Sequence, residues 1–373
     1  MGQPVMETKE GYILLVTDRL DRGEAVAEAL GIAMDVRVTG PDFYNQDHGD
    51  LSGDVCEGVV TDIAFNREAS VKSLRQILRN KGMREAPLMS MLRKVDGSEG
   101  ENNFMRAKAV GAKICLSAAT PPRKLAAAVV NTTHPDQSIV DRIVNRGLAK
   151  SGLAVGAILK VVDAGGAIDL PTVDAGVDPV INAIRHGGLA RWLDSVWVHD
   201  DTTYQHSLQV AGLAAAVAMN LYFPKADQKR FIRAALMHDL GKGRIPLKIL
   251  NKPGKLDDGE WAVMRTHAKI GHDILVRGGV TDELTLNTAL HHHEMLDGTG
   301  YPDRLRGDGI ADPVRLMTIC DIYAALIEKR PYKDAKSPED AFGILYSMGD
   351  KLERSMVDAL ARAVLKPEER EAA

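Results

Sequence analysis

Seven of the 11 histidines in this chain fall between positions 206 and 293, and three are consecutive in the stretch HHHEMLDGTGYPD, residues 291–303. Clustered imidazoles are either polar surface or a metal site, in which neutral rings give electron pairs to a cation. His206 shares a helical stripe with Val210, Leu213 and Val217; a lone histidine there is more often a core residue than a ligand. His238 and Asp239 end the apolar run FIRAALM, with Lys242 one turn on. A surface cap is one reading of that group. The apolar approach favours burial, and a buried carboxylate must be paired or bound to a cation. His267 lies inside MRTHAKIGHDIL, and His272 is rotated from it by about 140°, so His272 reads as solvated. Adjacent helical positions differ by about 100°, so at most two of His291, His292 and His293 can aim into one site. Asp321 is the single carboxylate of VRLMTICDIYAALI. Five imidazoles and two carboxylates exceed what one metal with open positions needs. They suit a dinuclear site, two metals bridged by a carboxylate and a hydroxide about 3.5–4 Å apart. That chemistry is hydrolysis of phosphodiesters or phosphomonoesters.

The elements that must position these residues differ along the chain. Of 373 residues, 45% are hydrophobic and 26% charged, enough for two or three domains with substantial cores. Short aliphatic runs recur in the first third: YILLVTD (12–18), DVRVTG (35–40), GVVTDIAF (58–65), APLMSML (86–92) and AKICLSA (112–118). Alternation with helical stretches such as SVKSLRQILRNKG (70–82) predicts a parallel sheet flanked by helices. The middle is helical with a Gly-rich interruption at VVDAGGAIDLP (161–171) and reads as a connector packing onto the histidine-rich last segment. That last segment has amphipathic helices, and in QKRFIRAALMHDLGKG the two glycines are expected to stop the helix. A formal charge of −4 gives no sign of a nucleic-acid polymer or membrane surface as partner. Cys56, Cys115 and Cys320 are isolated, as in a reducing cytoplasm. No apolar run reaches the roughly 20 residues of a membrane span.

HDLGKGRIPLKILNKPGKLDDGEWAVMRTHAKIGHDIL, followed by HHEMLDGTGYP and CDIYAALIEKRPYK, closely resembles the HD-GYP family of cyclic di-GMP phosphodiesterases. The resemblance implies an all-α helical bundle over residues 201–373, preceded by a connector over 131–200. It implies one metal held by His206, His238, Asp239 and Asp321, and a second sharing Asp239 with His267, His292 and His293. Fe or Mn is the expected pair. His291 falls outside the pattern. Lys242 would contact the scissile phosphate or protonate the leaving oxygen, making Lys242 and Asp239 the catalytic pair. Tyr301, in the Gly300-Tyr301-Pro302 turn, would bind the nucleotide, as would Arg330 and Lys333; Asp297 and Gly298 would shape the loop. Some members take a third metal through a glutamate one turn before the first histidine, where this chain has Thr202, so two metals are expected. The chain also departs from the family at Ala324, Gly243 and Arg244.

Residues 1–130 resemble, more weakly, a response-regulator receiver domain of flavodoxin-like α/β fold. Asp18 and Asp62 end the first and third strands, and Ser90 fits the hydroxyl of the fourth. Thr17 stands where receivers carry a second acid, and Thr120 precedes Pro121 where they carry lysine. The resemblance therefore implies a degenerate receiver, part of two-component signalling, that contacts a protein partner or a second copy of the chain. The whole reads as a cytoplasmic phosphodiesterase converting cyclic di-GMP to pGpG, with a second cleavage to GMP left open. The alternatives are a slow cyclic di-GMP-binding signalling protein and an HD hydrolase of another nucleotide.

Overall fold

The computed structural model describes residues 11–40, 54–80, 82–198, 202–328 and 335–365. The chain divides into two compact units, Met1–Ile143 and Val144–Ala373. Among the described residues no helix is long and apolar enough to cross a membrane.

The first unit contains β1 (Tyr12–Thr17), α1 (Leu20–Gly31), β2 (Asp35–Thr39), β3 (Cys56–Asp62) and α2 (Glu68–Leu78). It continues with β4 (Leu88–Leu92), α3 (Gly97–Val110), β5 (Ala112–Ser117) and α4 (Pro122–Thr133). All pairings are parallel and the strand order is β2-β1-β3-β4-β5. Strands β1 and β4 are buried at every position, which is why they read as continuous aliphatic runs rather than alternating ones. Tyr12, Leu14 and Val16 face the side covered by α2 and α3. Ile13 and Leu15 face the side covered by α1 and α4. The chain leaves β1 and β3 in opposite directions, so their carboxyl ends border the topological switch point, the usual ligand crevice of such sheets.

The second unit takes in most of α5 (Ile139–Asp163), then α6 (Leu170–Gly187), α7 (Leu189–Val198), α8 (Thr202–Asn220) and α9 (Lys225–Met237). After a 3-10 turn at Leu240–Arg244 come α10 (Leu247–Leu250), α11 (Asp258–Arg277), α12 (Glu283–His291), α13 (Asp312–Ile327), α14 (Pro338–Ser347) and α15 (Arg354–Leu365). Helix α8 is central, packed by α7, α9, α13 and α15. It is apolar nearly all round because it is enclosed nearly all round. Trp192 of α7 is fully buried and its indole N–H donates to the Leu208 carbonyl at 2.9 Å. Gly212 makes room for that ring: a Cβ there would lie 2.3 Å from Trp192 Cδ1. Asp257 and Glu260 form a reciprocal capping box that starts α11, and Asp282 accepts from Thr285 N to start α12.

One expectation is corrected here. Helix α9 stops at Met237, before the two glycines, and His238 is its C-cap. Gly241 serves a different purpose. A Cβ on it would lie 1.9 Å from the His267 carbonyl oxygen, and it abuts Gly271. The missing side chains let the 3-10 turn lie directly on α11.

The buried Trp192 offers a test of the core. Trp192→Ala should cost about 3–5 kcal/mol of stability, measured by urea unfolding, whereas Trp197→Ala, on a residue 40% exposed, should cost less than about 1 kcal/mol.

Candidate metal centre

Seven side chains converge at one end of the helical unit. His206 comes from α8, His238 and Asp239 from the end of α9, His267 from α11, His292 and His293 from the end of α12, and Asp321 from α13. They form two sets of potential ligands: His206, His238, Asp239 and Asp321, and Asp239, His267, His292 and His293, each set with atoms within 4.8 Å of one another. Asp239 belongs to both. Its Oδ2 faces His238 Nε2 at 3.2 Å and His206 Nε2 at 3.7 Å. Its Oδ1 faces His267 Nε2 at 3.5 Å and His292 Nε2 at 3.6 Å. Asp321 Oδ1 lies 2.7 Å from His206 Nε2 and 3.6 Å from His238 Nε2.

The rings are aimed from behind. Nδ1 of His238 bonds the Ala235 carbonyl at 2.7 Å, Nδ1 of His267 the Met264 carbonyl at 2.7 Å, and Nδ1 of His292 the Thr288 carbonyl at 2.9 Å. A carbonyl only accepts, so each Nδ1 carries the hydrogen and, in the neutral ring, each Nε2 presents a lone pair inward. His267 Nε2 and His292 Nε2 then face each other at 3.4 Å. Buried Asp239 Oδ1 has no hydrogen-bond partner. Opposed lone pairs and an orphaned buried carboxylate oxygen are what a cation would satisfy, so the residues fit divalent metal. The donor set, imidazole and carboxylate without thiolate, agrees.

Charge obeys the same geometry. Burial would raise the carboxyls of Asp239 and Asp321, but Lys242 and His238 hold Asp239 well below the usual range, and His206 and His238 do so for Asp321. Burial would lower His238, yet the carboxylates of Asp239 and Asp321 outweigh it and lift the ring to about 10. Burial pushes His267 down to about 4 and His293 well below its ordinary value.

The other predicted residues surround this cluster or stand apart from it. Lys242 Nζ is ion-paired with Asp239 Oδ2. The Tyr301 ring lies 4.7 Å from the His293 ring at 31°. His291 stays outside the cluster and pairs with Asp303 at 2.9 Å, and His272 lies beside Asp273. Asp297 folds its loop by accepting from Thr299 N and Oγ1 at 2.9 and 2.7 Å. Ala324 is fully buried in the core, and Arg244 donates to the Val162 carbonyl at 2.6 Å. Arg330 and Lys333 lie outside the described residues, as does the Thr202 side chain.

Two glutamates escape a reading of the sequence alone. Glu294, buried beside the histidines, accepts from the backbone N–H groups of Asp303, Arg304 and Leu305 at 2.7, 2.9 and 3.0 Å. It fixes the loop that carries Tyr301. Its position directly after His293 is the available signal. Glu328 Oε2 lies 3.8 Å from His206 Nδ1, and nothing in its surroundings in the sequence marks it.

This geometry coincides with a match to a family profile. Residues 194–355 match the HD domain. That stretch lies in the second unit and takes in all seven clustered side chains. The chain is 32% identical to a cyclic di-GMP phosphodiesterase of Pseudomonas aeruginosa over 58% of its own length and 52% of that protein. It is 35% identical to a cyclic di-GMP phosphodiesterase response regulator of Xanthomonas campestris, over 47% of each chain. It is 41% identical to a 3'3'-cGAMP-specific phosphodiesterase of Vibrio cholerae over 38% of its length and 31% of that protein. The chain thus spans about half the length of the first two relatives and less of the third. An HD domain implies divalent-metal binding.

The first unit has its own buried acid cluster. Asp62 is fully buried at the end of β3, opposite Thr17 of β1. Arg93 Nε lies 3.2 Å from Asp62 Oδ1, and the same guanidinium donates to the Asp62 carbonyl at 2.6 Å and to Asp18. Arg22 Nε and Arg19 Nη2 meet Asp62 Oδ2 at 3.1 and 3.3 Å. Burial would raise the Asp18 carboxyl, but Arg93 and the Ala64 N–H hold it down. Ser90 accepts from Thr61 Oγ1 at 3.2 Å. None of the three arginines stands out in the sequence.

Metal loading of the HD site should displace the His238 proton, because a ligating imidazole is neutral. His267 and His293, already held neutral, contribute nothing. Near pH 7 His238 should give up about one proton per chain, in addition to any lost by a metal-bound water. The release is read from the dependence of calorimetric heats on buffer ionisation enthalpy, and His238→Ala should release about one proton fewer than wild type. Heats independent of buffer would mean His238 is neutral before metal arrives.

Proposed function

We propose that the protein is a metal-dependent phosphodiesterase that hydrolyses cyclic di-GMP to linear pGpG at a dinuclear Fe or Mn site. The observation that carries this reading is the division of Asp239 between two ligand sets, one oxygen toward each. The names of the relatives supply the substrate class.

Two cations bound there would make a nucleophile from water at neutral pH and neutralise a phosphoryl oxygen. The chain's own residues do the rest. Asp239, Asp321 and the five imidazoles fix where a phosphodiester can sit. Lys242, one turn from His238 and already against Asp239, is placed to shift to a phosphate oxygen or to protonate the departing alkoxide. Tyr301, anchored through its N–H to the His293 carbonyl at 3.3 Å, carries an aromatic face at the edge of the cluster. Its phenol stays protonated because burial pushes its pKa up, so it can donate to the nucleotide. Arg330 and Lys333 are assigned as further substrate contacts on the family pattern.

The first unit reads as a degenerate receiver-like domain. Its strand order is that of flavodoxin-like folds, and Arg93 occupies the space between Asp18 and Asp62 with fixed positive charge. Asp62 is then no phosphoryl acceptor, and the domain serves contact with a protein partner or a second copy.

Asp239→Ala should lose both metals and bring cyclic di-GMP hydrolysis to background. Metal analysis of the purified variant and chromatography of the nucleotide products check the two parts. Retention of two metals per chain would sink the shared-carboxylate assignment. Incubation with acetyl phosphate and Mg²⁺ should leave Asp62 unlabelled on a phosphate-affinity gel; a labelled wild-type chain that loses its label in Asp62→Asn would restore the domain as an input.

A further inference from the structure

Resting on the cyclic dinucleotide reading above, we propose that Arg265 and Trp261 form a guanine-recognition platform beside the metal centre. Both sit on α11, one turn apart, and His267 lies two residues beyond Arg265. The Arg265 guanidinium lies over two rings, 5.4 Å from the centroid of Tyr301 and 5.9 Å from that of Trp261. Tyr301 in turn lies against the His293 ring. A continuous stack therefore runs outward from a metal-site histidine through tyrosine and guanidinium to an indole that is 44% exposed.

Three properties make this stack a recognition site rather than a surface ornament. Arg265 is exposed, and among the described residues no carboxylate pairs with it. Two aromatic rings lie within 6 Å of its guanidinium carbon, close enough for cation–π attraction to hold the head group beside them without using its N–H donors. Trp261, a large ring left 44% exposed on the solvent-facing first half of α11, presents a stacking face to a base. A phosphate held at the metal cluster would place its attached nucleoside one or two ring layers away, within reach of the Arg265 fork.

The chemistry selects among bases. Guanine presents two acceptors, O6 and N7, on one edge, matching the paired donors of arginine. Adenine presents N7 beside an amino donor, which opposes a guanidinium N–H. Arg265 thus distinguishes guanine from adenine, and Trp261 holds whichever base arrives by stacking.

The test uses the full-length, Mn²⁺-loaded chain and reads affinity by the fluorescence anisotropy of a dye-labelled cyclic di-GMP displaced by unlabelled cyclic di-GMP and by cyclic di-AMP. Wild type should prefer the guanine dinucleotide. Arg265→Ala and Arg265→Lys should each reduce that preference by about tenfold or more, because lysine keeps the charge and lacks the fork. Trp261→Leu should weaken both ligands together. Metal content, measured alongside, identifies a variant that has lost its site for other reasons, and Trp261→Phe retains the ring as a second probe. Equal affinity of wild type for the two dinucleotides, an equal loss for both in Arg265→Ala, or full rescue by lysine would overturn the proposal. Wild type that binds cyclic di-GMP with this preference but does not hydrolyse it would support the platform and overturn the proposed hydrolysis instead.

Discussion

A carboxylate taken out of water must have its charge met, and in the helical unit that requirement centres on Asp239. It is 8% exposed, and with Asp321 it puts two negative charges in the same small volume. Lys242 answers one. The other is answered by the proton that the pair forces onto His238, whose ring is held at about 10. The metal-free site is thus balanced by an ammonium and an imidazolium, and both are replaceable. A lysine side chain can swing away, and a proton can be exchanged for a metal ion at the same nitrogen. The architecture around Asp239 keeps charge compensation exchangeable while fixing the nitrogens in place.

The first unit solves the same problem in the opposite way. Asp62 is fully buried, and Arg19, Arg22 and Arg93 surround it. An arginine cannot deprotonate in a protein, and Arg93 is further fixed by bonds to Asp18 and to the Asp62 carbonyl. Compensation there is built from the chain and cannot be traded for a metal or a phosphoryl group without breaking several hydrogen bonds. One acidic site is open to cations and the other is closed by them, although both begin from a buried aspartate at the end of a regular element.

Much of this was legible in the sequence. The aliphatic runs that became β1, β3 and β4 are buried on both faces, so hydrophobicity alone marks them. The helical positions of His206, His267 and Asp321 are set by local periodicity, which a sequence carries directly. What escaped depends on contacts between distant segments. The end of α9 is expected at the glycines and falls at Met237, because Gly241 is needed for the crossing with α11 rather than for a cap. Glu294 looks like one more polar residue in a loop; its value lies in three backbone N–H groups nine to eleven positions away. Arg93, Arg22 and Arg19 are unremarkable in their own surroundings and acquire meaning only when three strand ends meet.

The precision of the metal centre comes from how little each ligand depends on its neighbours. His238, His267 and His292 are each oriented by a carbonyl three or four residues earlier in the chain, so ring direction is set by local contacts. What remains for the fold is to set distances between helix ends, and it does so with small residues. Gly241 and Gly271 bring the turn after α9 against α11, while Ala268 and Ala289 are fully buried without projecting far from their helices. A side chain at the glycine crossing would move His238 and Asp239 away from His267 by the width of a methyl group. That displacement would separate the two halves of the ligand set that Asp239 joins, while leaving every individual histidine correctly aimed.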